Sequence, residues 1–178
     1  TRTWTATDDC GNATTVSQTI TVEDTTAPVL TIPSDYTAEC SDEHPMDEAS
    51  ATDNCGEVTI SVEEVTTPGS CAGDYTITRT FTATDDCGNA TTDTQTITIV
   101  DTTGPDLFVP PSYEADCTQE LLLFDALASD NCSNAEITVE DSYDYACNNS
   151  YVLTRTFTAT DDCGNQTIGT QEITVSDT

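Results

Sequence analysis

Thr76-Ile77-Thr78-Arg79-Thr80-Phe81-Thr82-Ala83-Thr84-Asp85-Asp86-Cys87-Gly88-Asn89 is the stretch on which the fold turns. Ile77, Arg79, Phe81 and Ala83 fall on one face at period two and threonines fall on the other, which is the pattern of a half-buried strand. Asp85 to Asn89 is rich in turn formers, and Gln95-Thr96-Ile97-Thr98-Ile99 resumes the alternation beyond it. The unit is a hairpin. Working outward, Val58-Thr59-Ile60-Ser61-Val62 alternates as well; Val29 to Ile32 reads as a first strand before Pro33, and Tyr36 to Cys40 as its continuation beyond a kink. A B strand is expected around residues 45 to 52. No segment has helical periodicity. The sequence therefore predicts an all-β fold, an immunoglobulin-like antiparallel β-sandwich of about seven strands per repeat.

The deciding stretch is not unique. Thr-Arg-Thr-Trp-Thr-Ala-Thr-Asp-Asp-Cys-Gly-Asn at residues 1–12 returns at 78–89 and 154–165 with Phe for Trp4, at a period of 77 and then 76 residues. Cys40 recurs as Cys117, Cys55 as Cys132, Cys71 as Cys147, and Asp24-Thr25-Thr26-Ala27-Pro28 as Asp101-Thr102-Thr103-Gly104-Pro105. The expected organisation is tandem: residues 1–24 are the last hairpin of a preceding repeat, and 25–101 and 102–178 are two complete ones. On this reading the chain is a window on a longer protein, and the partner of Cys10 lies upstream.

Composition narrows the function. The 178 residues carry 33 acids against 3 arginines, no lysine and 1 histidine, a formal charge of -30. Such a surface repels nucleic acid and anionic membrane and attracts cations. Short alternating apolar runs and nine cysteines argue for an ordered, solvated surface rather than disorder. Cysteines without a CxxC motif or a paired histidine read as disulfides, and so as an oxidising, extracellular or cell-surface setting. No apolar run is long enough to cross a bilayer.

Four cysteines per repeat allow three connectivities. Immunoglobulin order places Cys40 and Cys71 at the lower end of a sandwich and Cys55 and Cys87, in turns, at the upper end, where the chain comes in. Because bonded α-carbons lie within about 7 Å, two disulfides per repeat are expected between cysteines at one end: Cys40–Cys71, Cys55–Cys87, Cys117–Cys147 and Cys132–Cys163. Each would close a loop of about 32 residues, contributing roughly 3 to 4 kcal/mol in a chain-entropy treatment. A repeat of roughly 75 residues is marginal without such staples.

The same topology gathers oxygens at the upper end. Asp24, Asp53, Asn54, Asp85, Asp86 and Asn89 form one set; Asp101, Asp130, Asn131, Asp161, Asp162 and Asn165 form the next; Asp8, Asp9 and Asn12 are a half-set. Calcium takes six to eight oxygens and would neutralise these carboxylates, stiffening the junction. The other reading is that Asp-Asn-Cys-Gly and Asp-Asp-Cys-Gly-Asn are simply turns closed by local side-chain bonds. The residues admit both readings.

Arg2, Arg79 and Arg155 occupy one strand position, in phase with apolar residues, and each calls for a carboxylate or carbonyl partner. Asn12, Asn89, Asn131, Asn148 and Asn165 stand in Asn-x-Ser/Thr sequons. His44 reads as a surface residue. Without lysine, a free nucleophile or a phosphate-cradling loop, the chain lacks the parts of an enzyme.

Ala-Thr-Asp-Asn-Cys-Gly at 51–56, Thr-Phe-Thr-Ala-Thr-Asp-Asp-Cys-Gly-Asn at 80–89 and Gln-Thr-Ile-Thr-Ile-Val-Asp-Thr-Thr-Gly-Pro at 95–105 resemble the hyalin-repeat (HYR) family. They are most similar to its cysteine-bearing version in giant surface proteins of Bacteroidota, such as gliding-motility adhesins exported by type IX secretion. The resemblance implies an immunoglobulin-like fold, a part in adhesion as a stalk, and O-glycosylation at Thr25 and Thr102. The expected function is an extender segment of a secreted bacterial adhesin or filament, with calcium as its cofactor. Its expected partners are neighbouring repeats and further copies bundled laterally through bridging cations. Direct glycan or cell-surface binding, for which Tyr143 and Tyr145 are the local hint, is one alternative; a spacer in a secreted enzyme is another.

Overall fold

The computed structural model describes residues 1–146 and 149–177. Among them every regular element is a strand. β1 (Arg2–Thr7) and β2 (Ala13–Gln18) form an isolated hairpin. The first repeat contributes β3 (Val29–Thr31), β4 (Tyr36–Glu39), β5 (Ser50–Thr52), β6 (Val58–Pro68), β7 (Tyr75–Asp85) and β8 (Ala90–Val100). β3 pairs antiparallel with β5, while the larger sheet runs β4-β8-β7-β6 with β4 parallel to β8. The second repeat copies this with β9 (Asp106–Phe108), β10 (Tyr113–Asp116), β11 (Leu127–Ser129), β12 (Ala135–Tyr145), β13 (Tyr151–Asp161) and β14 (Gln166–Ser176).

Each repeat is a lopsided sandwich, a four-stranded sheet faced by a two-stranded one. Pro33 separates β3 from β4. It lacks a backbone donor, so pairing breaks there and the chain passes from the small sheet to the edge of the large one. Two expectations change. Among the described residues there are six strands per repeat rather than seven, because β6 turns directly into β7 through Gly69 and Asp74, whose backbones bond at 2.8 Å. The B strand is only Ser50–Thr52. Residues 41–49 carry no period-two pattern and follow an irregular path instead.

The core lies where β7 and β8 turn their alternate residues inward. Ile77, Ile97 and Ile99 cluster with Tyr36, Ala38, Cys40 and Tyr75; Leu153, Ile173, Val175 and Ala115 cluster with Tyr113, Cys117, Leu121 and Tyr151. With no further strands to cover β6, its inward Ile60 and Val62 stay exposed while Phe81, paired opposite Val62, is buried. In the second repeat Gly169 lets the small sheet approach, because a Cβ there would meet Val109 Cγ2 at 2.5 Å.

The irregular segment explains the buried arginines. It lays bare main chain over the sheet, and those carbonyls need donors. Arg79 supplies them, donating from its two terminal nitrogens to the carbonyls of Pro45 (2.9 Å) and His44 (3.0 Å) and from Nε to Glu64 (2.9 Å). Arg155 repeats the arrangement with the Phe124 carbonyl and Asp141, each at 3.0 Å, and lies 5.2 Å from the Phe157 ring centre. Arg2, on the isolated hairpin, is exposed. His44 is half-buried, with both ring nitrogens shielded from solvent, rather than a surface residue.

Candidate functional site at the junction between repeats

The lower end of the first repeat carries Cys40, just after β4, and Cys71, in the β6–β7 turn. The upper end of the second carries Cys132, between β11 and β12, and Cys163, in the β13–β14 turn. The linker from Asp101 to Pro105 is short enough to bring these ends together. The disulfides cross it: Cys40 bonds Cys132 and Cys71 bonds Cys163, with α-carbons 5.9 and 5.1 Å apart. This corrects the pairings within a repeat. Cys40–Cys71, Cys55–Cys87 and Cys132–Cys163 are not formed, and Cys10, Cys55, Cys87 and Cys117 keep free thiols. Cys147, the expected partner of Cys117, lies outside the described residues. The physical reason is that proximity within one end was the wrong restriction. Where a linker is this short, the lower end of one repeat abuts the upper end of the next, and bonded cysteines come from both.

The acids gather at the same place. Asp101, Asp130 and Asp161 bring carboxylate oxygens within 4.8 Å of one another, and Asp24, Asp53 and Asp85 do so at the upper end of the first repeat. The turn-forming reading accounts for part of this. Asp161 accepts from the backbones of Cys163 (2.9 Å) and Asn165 (2.8 Å) and from the Asn165 side chain (2.8 Å), closing a turn completed by Gly164 at φ 90°. Asp85 and Asp8 repeat it. One oxygen each of Asp130 and Asp101 likewise caps the backbone, on Cys132 and Ser133 (both 2.9 Å) and on Thr103 (3.3 Å). Their second oxygens are buried without a hydrogen-bond partner among the described residues. Three carboxylates of which two hold orphaned buried oxygens fit a hard cation, with carbonyls and water completing its shell.

The other expected ligands are not in that cluster. Asn54 and Asn131 direct their amides at the sulfurs of Cys55 and Cys132, both at 3.0 Å. Asp86 and Asp162 are exposed at the turn tips. Asn89 and Asn165 brace the linker, donating to the carbonyls of Asp24 (3.2 Å) and Asp101 (3.0 Å). Thr102 is tied by its hydroxyl to Glu39, and Thr25 is exposed.

Electrostatics separates the members of the triad. Burial pushes the Asp101 carboxyl above the ordinary carboxylate range, and the charges of Asp130, Asp161 and Glu39 add to it against a backbone bond from Thr103. For Asp161 burial also works upward, but the bonds from Asn165, Cys163 and Gly164 outweigh it and hold the carboxyl low. Asp85 is held low chiefly by the Asn89 side chain.

Sequence reasoning missed Asp74 and Gly73. Asp74 accepts from the Asp101 backbone (3.3 Å) and from Ser70 (2.9 Å), while Gly73 lies so near the linker that a Cβ there would meet Asp101 Cβ at 2.5 Å. The glycine beside Cys71 was the available sign. Buried Gln95 and Gln171, which donate to the Ser34 and Pro111 carbonyls (both 2.9 Å), were missed too.

Residues 28–99 match the family model of an HYR-like domain with 4 cysteines. No curated protein matches the chain in sequence. Among solved structures, Drosophila N-cadherin EC1-4 is 16% identical with a TM-score of 0.38, over 85% of this chain and 50% of that one. Human mucin-like protocadherin EC1-2 is 8% identical with a TM-score of 0.36, over 84% of this chain and 99% of that one. Protocadherin gamma B2 domains 1-5 are 13% identical with a TM-score of 0.40, over 99% and 45%. This chain thus spans half the length of the N-cadherin fragment. Residues 28–99, one immunoglobulin-type repeat, are thus similar to the HYR-like family with four cysteines, and the sequence repeats them one period on.

Proposed function

We propose that this chain is an extender, a stalk segment of a large secreted bacterial surface adhesin or filament of the gliding-adhesin, type IX-exported kind. Its repeats are held in line by disulfides and calcium at each junction. The observation that carries the reading is the pair of disulfides crossing from one repeat to the next. Bonds within a repeat would stabilise a domain and leave its linker free to bend. Two bonds across the linker, at separate points, remove the hinge. The Asp101, Asp130 and Asp161 cluster would hold the ion, which would offset the repulsion of three carboxylates packed against the linker.

Small-angle scattering of the oxidised two-repeat chain tests this. A single extended shape is expected, with added reductant broadening the distance distribution and chelator broadening it further. An oxidised chain as bent and variable as the reduced one rejects the reading.

Lateral bundling of copies follows the same logic, since a surface of charge -30 repels its own kind until divalent cations bridge it. Loss of bundles in chelator and their return with calcium is the expected behaviour.

One observation favours a second reading, direct glycan binding. Tyr143 and Tyr145 are exposed and stacked at 6.0 Å, with Tyr151 beside them at 5.8 and 5.9 Å, a platform of the type sugar faces use. Array binding of the intact chain, lost in Tyr145→Ala, is its test.

A further inference from the structure

The junction joins two unlike faces, and each repeat carries both. The lower face of the first repeat presents Cys40 and Cys71, and the upper face of the second presents Cys132 and Cys163. One period back, Cys55 and Cys87 stand on the upper face of the first repeat with exposed thiols. One period on from Cys40, Cys117 stands on the lower face of the second, also as a thiol.

Both unbonded faces already have the shape of the bonded ones. Asn89 reaches the Asp24 carbonyl as Asn165 reaches that of Asp101, and Asp24, Asp53 and Asp85 converge as Asp101, Asp130 and Asp161 do. At the lower face the Cys117 backbone donates to Ser176 at 3.0 Å as that of Cys40 donates to Val100 at 3.0 Å. The Asp177 backbone donates to the Ser150 hydroxyl at 3.4 Å where that of Asp101 donates to Asp74 at 3.3 Å.

β1 and β2 pair Arg2 with Gln18 as β7 and β8 pair Arg79 with Gln95, so the hairpin keeps the same register one period back.

We infer that the upper face of the first repeat receives the lower face of a preceding four-cysteine repeat on the same polypeptide. Cys55 and Cys87 bond its two lower-face cysteines, and Cys117 bonds the upper face of a following repeat in the same way. The setting rests on the stalk reading above; the bonding does not. Each bond forms by thiol–disulfide exchange with an oxidised dithiol catalyst. One cysteine thiolate attacks the catalyst's disulfide to give a mixed disulfide, and the second displaces the catalyst. Two protons and two electrons leave the pair, and the catalyst departs as a dithiol.

A continuous covalent line results. It comes in at Cys87, runs along β7 to Cys71, crosses to Cys163 and runs along β13. Because both strands are already extended, the line has almost no slack.

Peptide mapping of the unreduced full-length chain tests the bonding. The Cys55 and Cys87 peptides are expected to be linked to peptides N-terminal to Thr1, and that of Cys117 to one C-terminal to Thr178. A Cys55–Cys87 bond, persistent thiols at these positions, or bonds between separate chains overturns the inference. Single-molecule stretching gives the second readout. Oxidised chains are expected to show no unfolding steps, and reduced chains steps of about 20 nm per repeat, the length of roughly 75 residues at about 3.3–3.6 Å each less their folded span. Full-length steps under oxidising conditions also overturn it. If the map holds but electron microscopy shows no projecting rod, the stalk reading fails alone; if the rod is present and the map fails, the clamp fails alone.

Discussion

Asp101 is placed under opposing demands. It is buried against three other acids, yet one of its oxygens has no hydrogen-bond partner among the described residues. A carboxyl whose pKa is raised on folding favours the folded state when protonated, so without a cation the junction should gain stability as pH falls from neutral through that raised value. Asp85 and Asp161, held low, act oppositely: their contribution is present above the ordinary carboxylate pKa and is lost as pH falls through their lowered values. A thermal midpoint that rises and then drops on acidification is expected in chelator. With calcium the rise should vanish, because the ion requires Asp101 ionised, and Asp101→Asn should abolish both the rise and the calcium response. Arg79 is the other residue with a decisive local role. Arg79→Leu strands two carbonyls and Glu64, and should lower stability in urea unfolding by about 2–4 kcal/mol. Arg79→Lys should recover little of it, since one ammonium cannot reproduce the three-way fork. The need for a partner at Arg79 was legible from its phase with Ile77 and Phe81. That backbone carbonyls of residues 44 and 45 would supply most of it was not, because nothing in the irregular stretch marks which face it covers.

Among the elements, the long strands were readable because threonine alternation continues through β7 and β8 without interruption. The short ones were less so. β5 is three residues long and pairs only with β3, too little chain for a period to show. The seventh strand was supplied by analogy with larger sandwiches, whereas Gly69 and its neighbours turn β6 straight back into β7. One consequence is that close approach of the small sheet matters more than its length. Gly169→Val would place side-chain atoms where Val109 already stands and should destabilise the second repeat by about 1–3 kcal/mol. The first repeat has Asp93 at the equivalent position of β8, so Asp93→Val should cost it much less, and denaturant curves of the two variants make the comparison.

For the whole molecule, the period that reveals the repeat also conceals the bonding. Sequence places each cysteine at an end of its sandwich, but Cys55 and Cys132 are equivalent by period, and nothing in the residues says which of them meets Cys40. Only the short linker, through Gly73 and Asp74 packed on Asp101, decides it. Each bond spans 92 residues, and loops of about 100 residues are worth roughly 4–5 kcal/mol in a chain-entropy treatment. The two loops overlap, so their effects should not add. Cys71→Ser alone should lower the thermal midpoint clearly, and Cys40→Ser added to it by less than the first step. Crossing bonds also alter what injury means for such a molecule. A protease that nicks Thr102 or Thr103 severs the backbone between the repeats, yet the pieces remain joined at two sulfur bridges, and a gel should show them parting only in reductant. The seam between the repeats thus has redundancy against cleavage at its exposed Thr102 and Thr103. Its vulnerability passes from peptide cleavage to reduction, a hazard that is rare outside cells.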